Sequence, residues 1–443
     1  MTNSAVRRFC AAVAVAGLLL LCGGCSLDVE GFLRPPKAQG EQQAIEAALE
    51  TYLRDTTGKV NVQYTLQYPS EGEYTTAFIV CDAQVRPLTD GVGTAALAVA
   101  FYTLSSEPDA THINLLRRSG NEWFSVSDRA GFGADVMQVA FGDLDGDGVN
   151  EILTGWDIYN TRDHRLTALA VGDELTSLAG DALYTQLYVG KMPAGEQDSL
   201  LLLRIGGANE VTATLETAAG GALVSRGSVR LDGYIQQFGS MTLCRLAEGV
   251  HGLYVEAVKS GGTVVTELIY YDDMGLHAPF YNADGNVTDA TTRPGGIAAA
   301  DADGDGLLEI PLGQPLPGYE GIEELPSYAR LTDWMAWDYA SGEWSRRLSS
   351  IVHIEDGYQV ILNDVHRQTV TASYDEDSRT LTLTDSVTGE AWLRVSLTVL
   401  PQGDSTLLLY PAEGDRPACR AWYDPAVLNE EEVRYMVARY RIP

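Results

Sequence analysis

Apolar and polar positions follow two periods along this chain. Over residues 41–55 the spacing is helical: Ala44, Ile45, Ala48, Leu49, Tyr52 and Leu53 share one face. From about Tyr74 the pattern shortens to that of strands. Units of strand, polar loop, strand and hairpin begin near Ala77, Met137, Tyr184, Met241 and Gly296, at gaps of 60, 47, 57 and 55 residues. Repeats of this length with four strands each predict propeller blades, which bury their faces by stacking on neighbours. Two outer hairpins echo one another, since Leu115–Trp123 and Trp337–Trp344 both place a Ser-Gly turn and a Glu just before Trp. Residues 60–68 offer a strand to close the ring on its last blade. After about Ser350 the rhythm changes. Alternating strands run from Val360 to Leu400, and a helix over Glu430 to Tyr440 opens on three acids suited to a helix N-terminus. The expected fold is mainly β. A propeller of about five or more four-stranded blades spans residues 60–350, between a helix at 41–55 and a small α+β domain at 352–443.

The amino terminus adds a location. Arg7 and Arg8 precede an apolar run from Ala11 to Leu21, and Cys22-Gly23-Gly24-Cys25 follows. Charge, a short apolar core and small residues at the cut make a secretory signal peptide over residues 1–24. The run falls short of the ~20 residues that span a bilayer. A cysteine after small residues looks like a lipobox, with Cys22 at the position usually held by Leu. The resemblance implies a lipid on Cys25, a tether over 25–40 and a chain anchored at the extracytoplasmic face of the cell membrane.

Composition narrows the partners. The chain has 61 acidic and 30 basic residues, a net charge of −31. Removing residues 1–24 takes away two Arg and no acid, leaving −33. Such a charge excludes nucleic acid and broad adhesion to anionic lipid. The 45 Gly and 22 Tyr favour a turn-rich β protein. Three cysteines follow Cys25, namely Cys81, Cys244 and Cys419, and are expected to be buried thiols.

Two segments carry chemistry. Asp143-Leu144-Asp145-Gly146-Asp147-Gly148-Val149-Asn150-Glu151 and Asp301-Ala302-Asp303-Gly304-Asp305-Gly306-Leu307-Leu308-Glu309 each set acids at loop positions 1, 3, 5 and 9. Four carboxylates so close repel one another unless a cation sits among them. Calcium, a hard cation, takes six to eight oxygens, and the carbonyls of Val149 and Leu307 could add to the shell. An EF-hand is excluded: position 12 is Thr154 or Leu312 rather than Glu, the flanks read as strands, and Pro311 would spoil an exiting helix.

Both segments resemble the FG-GAP or VCBS repeat, the calcium-loop unit of integrin α-subunit type β-propellers, and Gly155 and Gly313 fit the glycine that ends its second strand. The resemblance implies two structural calcium ions. Their ligands would be Asp143, Asp145, Asp147 and Glu151, and Asp301, Asp303, Asp305 and Glu309. The other repeats lack the acids.

No GxSxG, HExxH or Walker motif occurs. The six histidines are scattered without zinc-ligand spacing and read as surface or satisfied core residues. Tyr271-Asp272-Asp273 and Glu323-Glu324 read as solvated turns rather than paired catalytic carboxylates. Trp123, Trp334 and Trp344 read as core more than as sugar platforms. The functional expectation is a non-enzymatic module binding a protein or glycan at the cell envelope. A surface polysaccharide-active enzyme and a structural envelope component stand as alternatives.

Overall fold

A computed structural model describes residues 40–88, 94–133, 135–180, 182–192, 197–322, 324–398, 405–414 and 416–440. The signal segment and Cys25 lie outside the described residues, as does Glu323.

The chain divides into two compact units. The smaller contains the helix Glu41–Thr57, the residues after it to Val62, and Leu116–Ser125. Ile45, Leu49 and Leu53 recur every fourth position and are buried, which gives the helix its apolar stripe. Gly58 ends it in the left-handed conformation (φ 66°) and donates its N–H to the Arg54 carbonyl at 2.9 Å. Arg118 Nη1 pairs with Glu41 Oε1 at 3.0 Å.

The larger unit is almost wholly β. Its strands form six separate antiparallel sheets. The first sheet includes Tyr64–Leu66, Phe78–Cys81 and Leu97–Leu104. The second includes Val136–Gly142, Glu151–Asp157 and His164–Val171. The third runs Gln186–Gly190, Ser199–Ile205, Val211–Ala219, Ala222–Arg230. The fourth is built on Ile235–Ala247, Val250–Lys259, Thr263–Asp272 and Gly275–His277. The fifth orders Ile310–Pro315, Arg330–Trp337, Trp344–His353, Tyr358–Leu362 and, from the chain end, Val437–Arg439. The sixth holds Val370–Asp375, Thr380–Asp385, Ala391–Ser396, Cys419–Tyr423 and Thr406–Tyr410.

Apolar packing joins each sheet to the next. Val99 and Leu115 of the first meet Ile152 and Trp156 of the second. Leu153 of the second meets Leu200 of the third, and Leu215 of the third meets Val255 of the fourth. Tyr254 and Leu268 of the fourth meet Ile310 of the fifth, and Val360 of the fifth meets Leu393 of the sixth.

This corrects the propeller expectation. All six sheets are open, and among the described residues no apolar cluster joins the sixth to the first. The strand within residues 60–68, Tyr64–Leu66, pairs with Leu97–Leu104 of the first sheet and closes nothing. Val437–Arg439 pairs with Tyr358–Leu362 of the fifth. The assignment to the FG-GAP or VCBS propeller family falls with the ring. The architecture is a mostly β chain of six open sheets with three short helices among the described residues. Residue 352 lies inside the strand Trp344–His353, and the sixth sheet is inserted before the chain returns to the fifth.

Cys81 and Cys419 are buried free thiols and Cys244 is a half-buried one. Burial pushes Cys81 and Cys419 up to about 12, which leaves them unreactive near neutral pH.

Candidate functional site

The two acidic loops have the same internal wiring. Asp143 Oδ1 accepts from the Gly146 N–H at 2.8 Å and its Oδ2 from Gly148 at 3.0 Å. Asp301 accepts from Gly304 at 2.7 Å and Gly306 at 3.0 Å. At the third position, Asp145 accepts from Asp147 and Asp303 from Asp305, both at 3.1 Å. The backbone bends through glycines at φ 80° and 86° in one loop and 83° and 87° in the other, a region costly for other residues. The sequence repeat therefore specifies one loop conformation twice.

In each loop three carboxylates converge. One oxygen each from Asp143, Asp145 and Glu151 lies within 4.8 Å of the others, and the same holds for Asp301, Asp303 and Glu309. Asp147 and Asp305 are not part of these groups. Asp147 accepts from the Val149 N–H, and Asp305 accepts from Leu307 and pairs with Arg347 Nη2 at 3.2 Å. Val149 and Leu307 enter through their N–H groups in these bonds.

The glutamates are the telling members. Glu151 is 2% and Glu309 0% exposed. Glu151 Oε2 accepts from the Leu144 N–H at 2.7 Å, and Glu309 Oε2 from Ala302 at 2.8 Å. Burial pushes both up to about 7, against those N–H bonds, and the neighbouring aspartate charges add to the rise. Glu309 Oε1 is buried without a hydrogen-bond partner among the described residues. A buried carboxylate oxygen facing two more carboxylates is the environment a cation relieves. Both clusters can coordinate a metal ion.

The first loop is tied to the third sheet. The Asp143 N–H donates to Asp198 Oδ2 at 3.0 Å, and Gln197 Nε2 and the Ala218 N–H donate to the Leu144 carbonyl. The second loop leads into the fifth sheet, and Leu308 within it packs, like Trp337 and Trp344, against the cluster of Tyr254, Leu268, Phe280 and Ile310. Trp344 lies 4.8 Å from Phe280, centre to centre. Trp334 is core, with Nε1 donating to Ser350 Oγ at 2.9 Å. Trp123 is buried.

A set of polar groups adjoins the same cluster as the second loop. Asp272 and His277 end two paired strands of the fourth sheet, and Tyr339 follows a strand of the fifth. His277 Nε2 lies 2.9 Å from Asp272 Oδ1, and the Tyr339 hydroxyl donates to Asp272 Oδ2 at 3.0 Å. The Met274 N–H donates to Asp272 as well, at 2.8 Å. Burial raises the Asp272 carboxyl, but the Met274, His277 and Tyr339 bonds outweigh it and hold it below the usual carboxylate range. The bond to Asp272 in turn raises the Tyr339 phenol. Tyr270 stacks on His277 at 4.8 Å, and Tyr339 and Trp337 lie 5.3 and 6.0 Å from Tyr270. His277 is about one-third exposed, so solvent reaches it.

Asp272 thus borders the exposed turn Asp273–Met274, with its own carboxylate engaged by His277 and Tyr339. The set went unseen because Tyr339 is 67 residues from Asp272. The available signal was the clustering of Tyr270, Tyr271, Trp337 and Tyr339 around carboxylates. An ionised carboxylate orienting both a histidine and a phenol is an arrangement that can serve general acid–base chemistry. This overturns the expectation of a non-enzymatic binding module, which rested on the lack of a catalytic set. A second pair, His112 Nδ1 to Asp128 Oδ2 at 2.7 Å, belongs to a side chain only 9% exposed and holds strands together.

No protein-family model matches the chain, and no curated protein matches it. Among solved structures it is similar to rhamnogalacturonan lyase YesW (13% identity, 81% of this chain and 74% of that one, TM-score 0.31). It is also similar to the Bacillus licheniformis rhamnogalacturonan lyase PL11 (12%, 78% and 68%, TM-score 0.30) and to the exotype rhamnogalacturonan lyase YesX (10%, 81% and 87%, TM-score 0.29).

Proposed function

We propose that this protein is an enzyme acting on an acidic polysaccharide outside the cytoplasm, anchored through a lipid on Cys25. The observation that carries the reading is the Asp272–His277–Tyr339 set, solvent-reachable and lined by Tyr270 and Trp337. Aromatic faces suit sugar rings, whose C–H faces pack on them. The metal of the two acidic loops is calcium in this reading, because the donors are carboxylate oxygens and an external pool of the ion suffices for sites of modest affinity. Its role is to tie loop to strand, and no step of the chemistry runs through it.

The set fits β-elimination. With Nε2–H donating to Asp272, the His277 ring has its lone pair on Nδ1. That nitrogen takes the proton α to a uronate carboxylate. The electron pair forms the ring double bond, and the bond to the departing glycosidic oxygen breaks. Tyr339 turns its hydroxyl from Asp272 and gives its proton to that oxygen; the bond to Asp272 raises the phenol, so it is protonated when the step begins. Asp272 stays ionised and stabilises the protonated imidazole.

The test is product analysis after incubating the purified protein with rhamnogalacturonan, the substrate class named for three of the similar structures, and with polygalacturonan and neutral glycans. Unsaturated uronate ends on the acidic polymers alone support elimination. New saturated reducing ends mean hydrolysis, and no new ends on any polymer contradict an enzyme.

A further inference from the structure

The fifth and sixth sheets flank a half-open cavity of about 540 Å³ lined by Tyr358, Arg379, Tyr410, Arg416, Arg439 and the Glu355–Asp356 turn. Its size is that of a small-molecule site. Three guanidinium groups on one cavity are notable in a chain with twice as many acids as bases. Arg379 Nε bonds Asp356 Oδ1 at 3.0 Å, and Asp356 is itself almost fully buried. Arg439 Nη1 pairs with Glu413 at 3.1 Å and lies over the Tyr410 ring at 4.8 Å. These contacts fix two of the guanidiniums in place. Arg416 lines the cavity, is exposed, forms a backbone bridge with Glu413, and has no ion pair among the described residues.

Tyr358 is the second, independent pointer. It is 2% exposed, lines the cavity, and its hydroxyl has no hydrogen-bond partner among the described residues. A buried hydroxyl left unpaired costs roughly 1–3 kcal/mol, which a bound acceptor would recover.

We infer that this cavity binds a hydroxylated monocarboxylate, with Arg416 taking the carboxylate and the Tyr358 hydroxyl meeting a ligand oxygen, while Asp356 is held by Arg379 and the Tyr374 hydroxyl. Guanidinium matches a carboxylate with two parallel hydrogen bonds. Glu355 and Asp356 on the wall repel a more highly charged anion, so phosphates and tricarboxylates fit poorly. Two sources share this chemistry: a uronic acid sugar and a small free hydroxy acid. The cavity is built from sheets five and six and does not depend on the catalytic reading of Asp272 and His277.

Calorimetric titration with galacturonate, galactose and lactate tests it, using the full protein carrying His277→Ala so that no turnover intervenes. Saturable galacturonate binding is expected, with no heat from neutral galactose. Arg416→Ala should weaken it at least about tenfold, and Tyr358→Phe several-fold, with melting temperatures unchanged for Arg416→Ala. Equal binding of lactate supports the carboxylate site and assigns it to free hydroxy acids. Absence of saturable binding to either acid, or an Arg416→Ala variant that binds as wild type does, overturns the site whatever the outcome of the polysaccharide assay.

Discussion

Asp272 and His277 stand five residues apart, at the ends of neighbouring strands, with Oδ1 and Nε2 at 2.9 Å. The β-hairpin between Thr263–Asp272 and Gly275–His277 makes this contact: Asp272 pairs with Gly275, Tyr271 with Leu276 and Tyr270 with His277. Backbone register therefore orients the ring, and Tyr270 stacks on it. Replacing Asp272 by Asn removes the carboxylate that His277 contacts in the proposed elimination. Turnover should fall by about 10²-fold or more, the scale of acid–base contributions. KM should change little, as measured by steady-state kinetics on an acidic polymer.

The metal loops predict a stoichiometry. Equilibrium dialysis with calcium should give two ions per chain, and Glu309→Gln or Glu151→Gln should each reduce this to one. The glutamate is the choice because it is the buried member of each cluster. Chelator should lower the melting temperature, since a ligand at a hundred times its Kd stabilises by about 2.7 kcal/mol per site.

A pH dependence follows from Glu267. This fully buried carboxyl is pushed by burial from 4.5 up to about 7, against its bonds from the Asp232 N–H and Thr288 hydroxyl. The native state thus holds the proton more tightly than the unfolded chain. Between about pH 4.5 and 7 the native protein carries more protons, so Glu267 makes stability decline as pH rises through that window. Its unpartnered Oε2 makes Gln the natural replacement. Glu267→Gln should raise stability at pH 8 by on the order of 2 kcal/mol and leave it nearly unchanged at pH 4, in denaturant titrations at the two pH values.

Packing supplies a further prediction at Gly131. A Cβ there would sit 2.0 Å from Cη2 of Trp156, with two more ring atoms within 2.7 Å. Trp156 is fully buried and its Nε1 bonds Thr167, so the ring has little room to move. Gly131→Ala should destabilise by about 1–3 kcal/mol, the range of overpacked cores, seen as a lower denaturation midpoint.

What could be read from the chain depended on how far apart the partners lie. Each acidic cluster draws all its members from nine consecutive residues, so spacing alone displayed it. Strand-rich repeats were visible for the same reason, through local alternation. How sheets end was not local. Tyr64–Leu66 joins the first sheet and Val437–Arg439 the fifth, and no periodicity at either segment announces its partner. The blade rhythm was therefore over-extended into a ring. Asp272 and Tyr339, and Arg379, Arg416 and Arg439, meet only through tertiary pairing, so both the acid–base set and the cavity required coordinates.

The most direct test of the central claim is turnover of rhamnogalacturonan by wild type and by His277→Ala, followed through the ultraviolet absorbance of unsaturated uronate ends. An acid–base role predicts steady product from the wild type and none above background from a His277→Ala protein that melts at the same temperature and binds the same calcium. Equal rates in the two proteins, or no product from either on any acidic polymer, would contradict it.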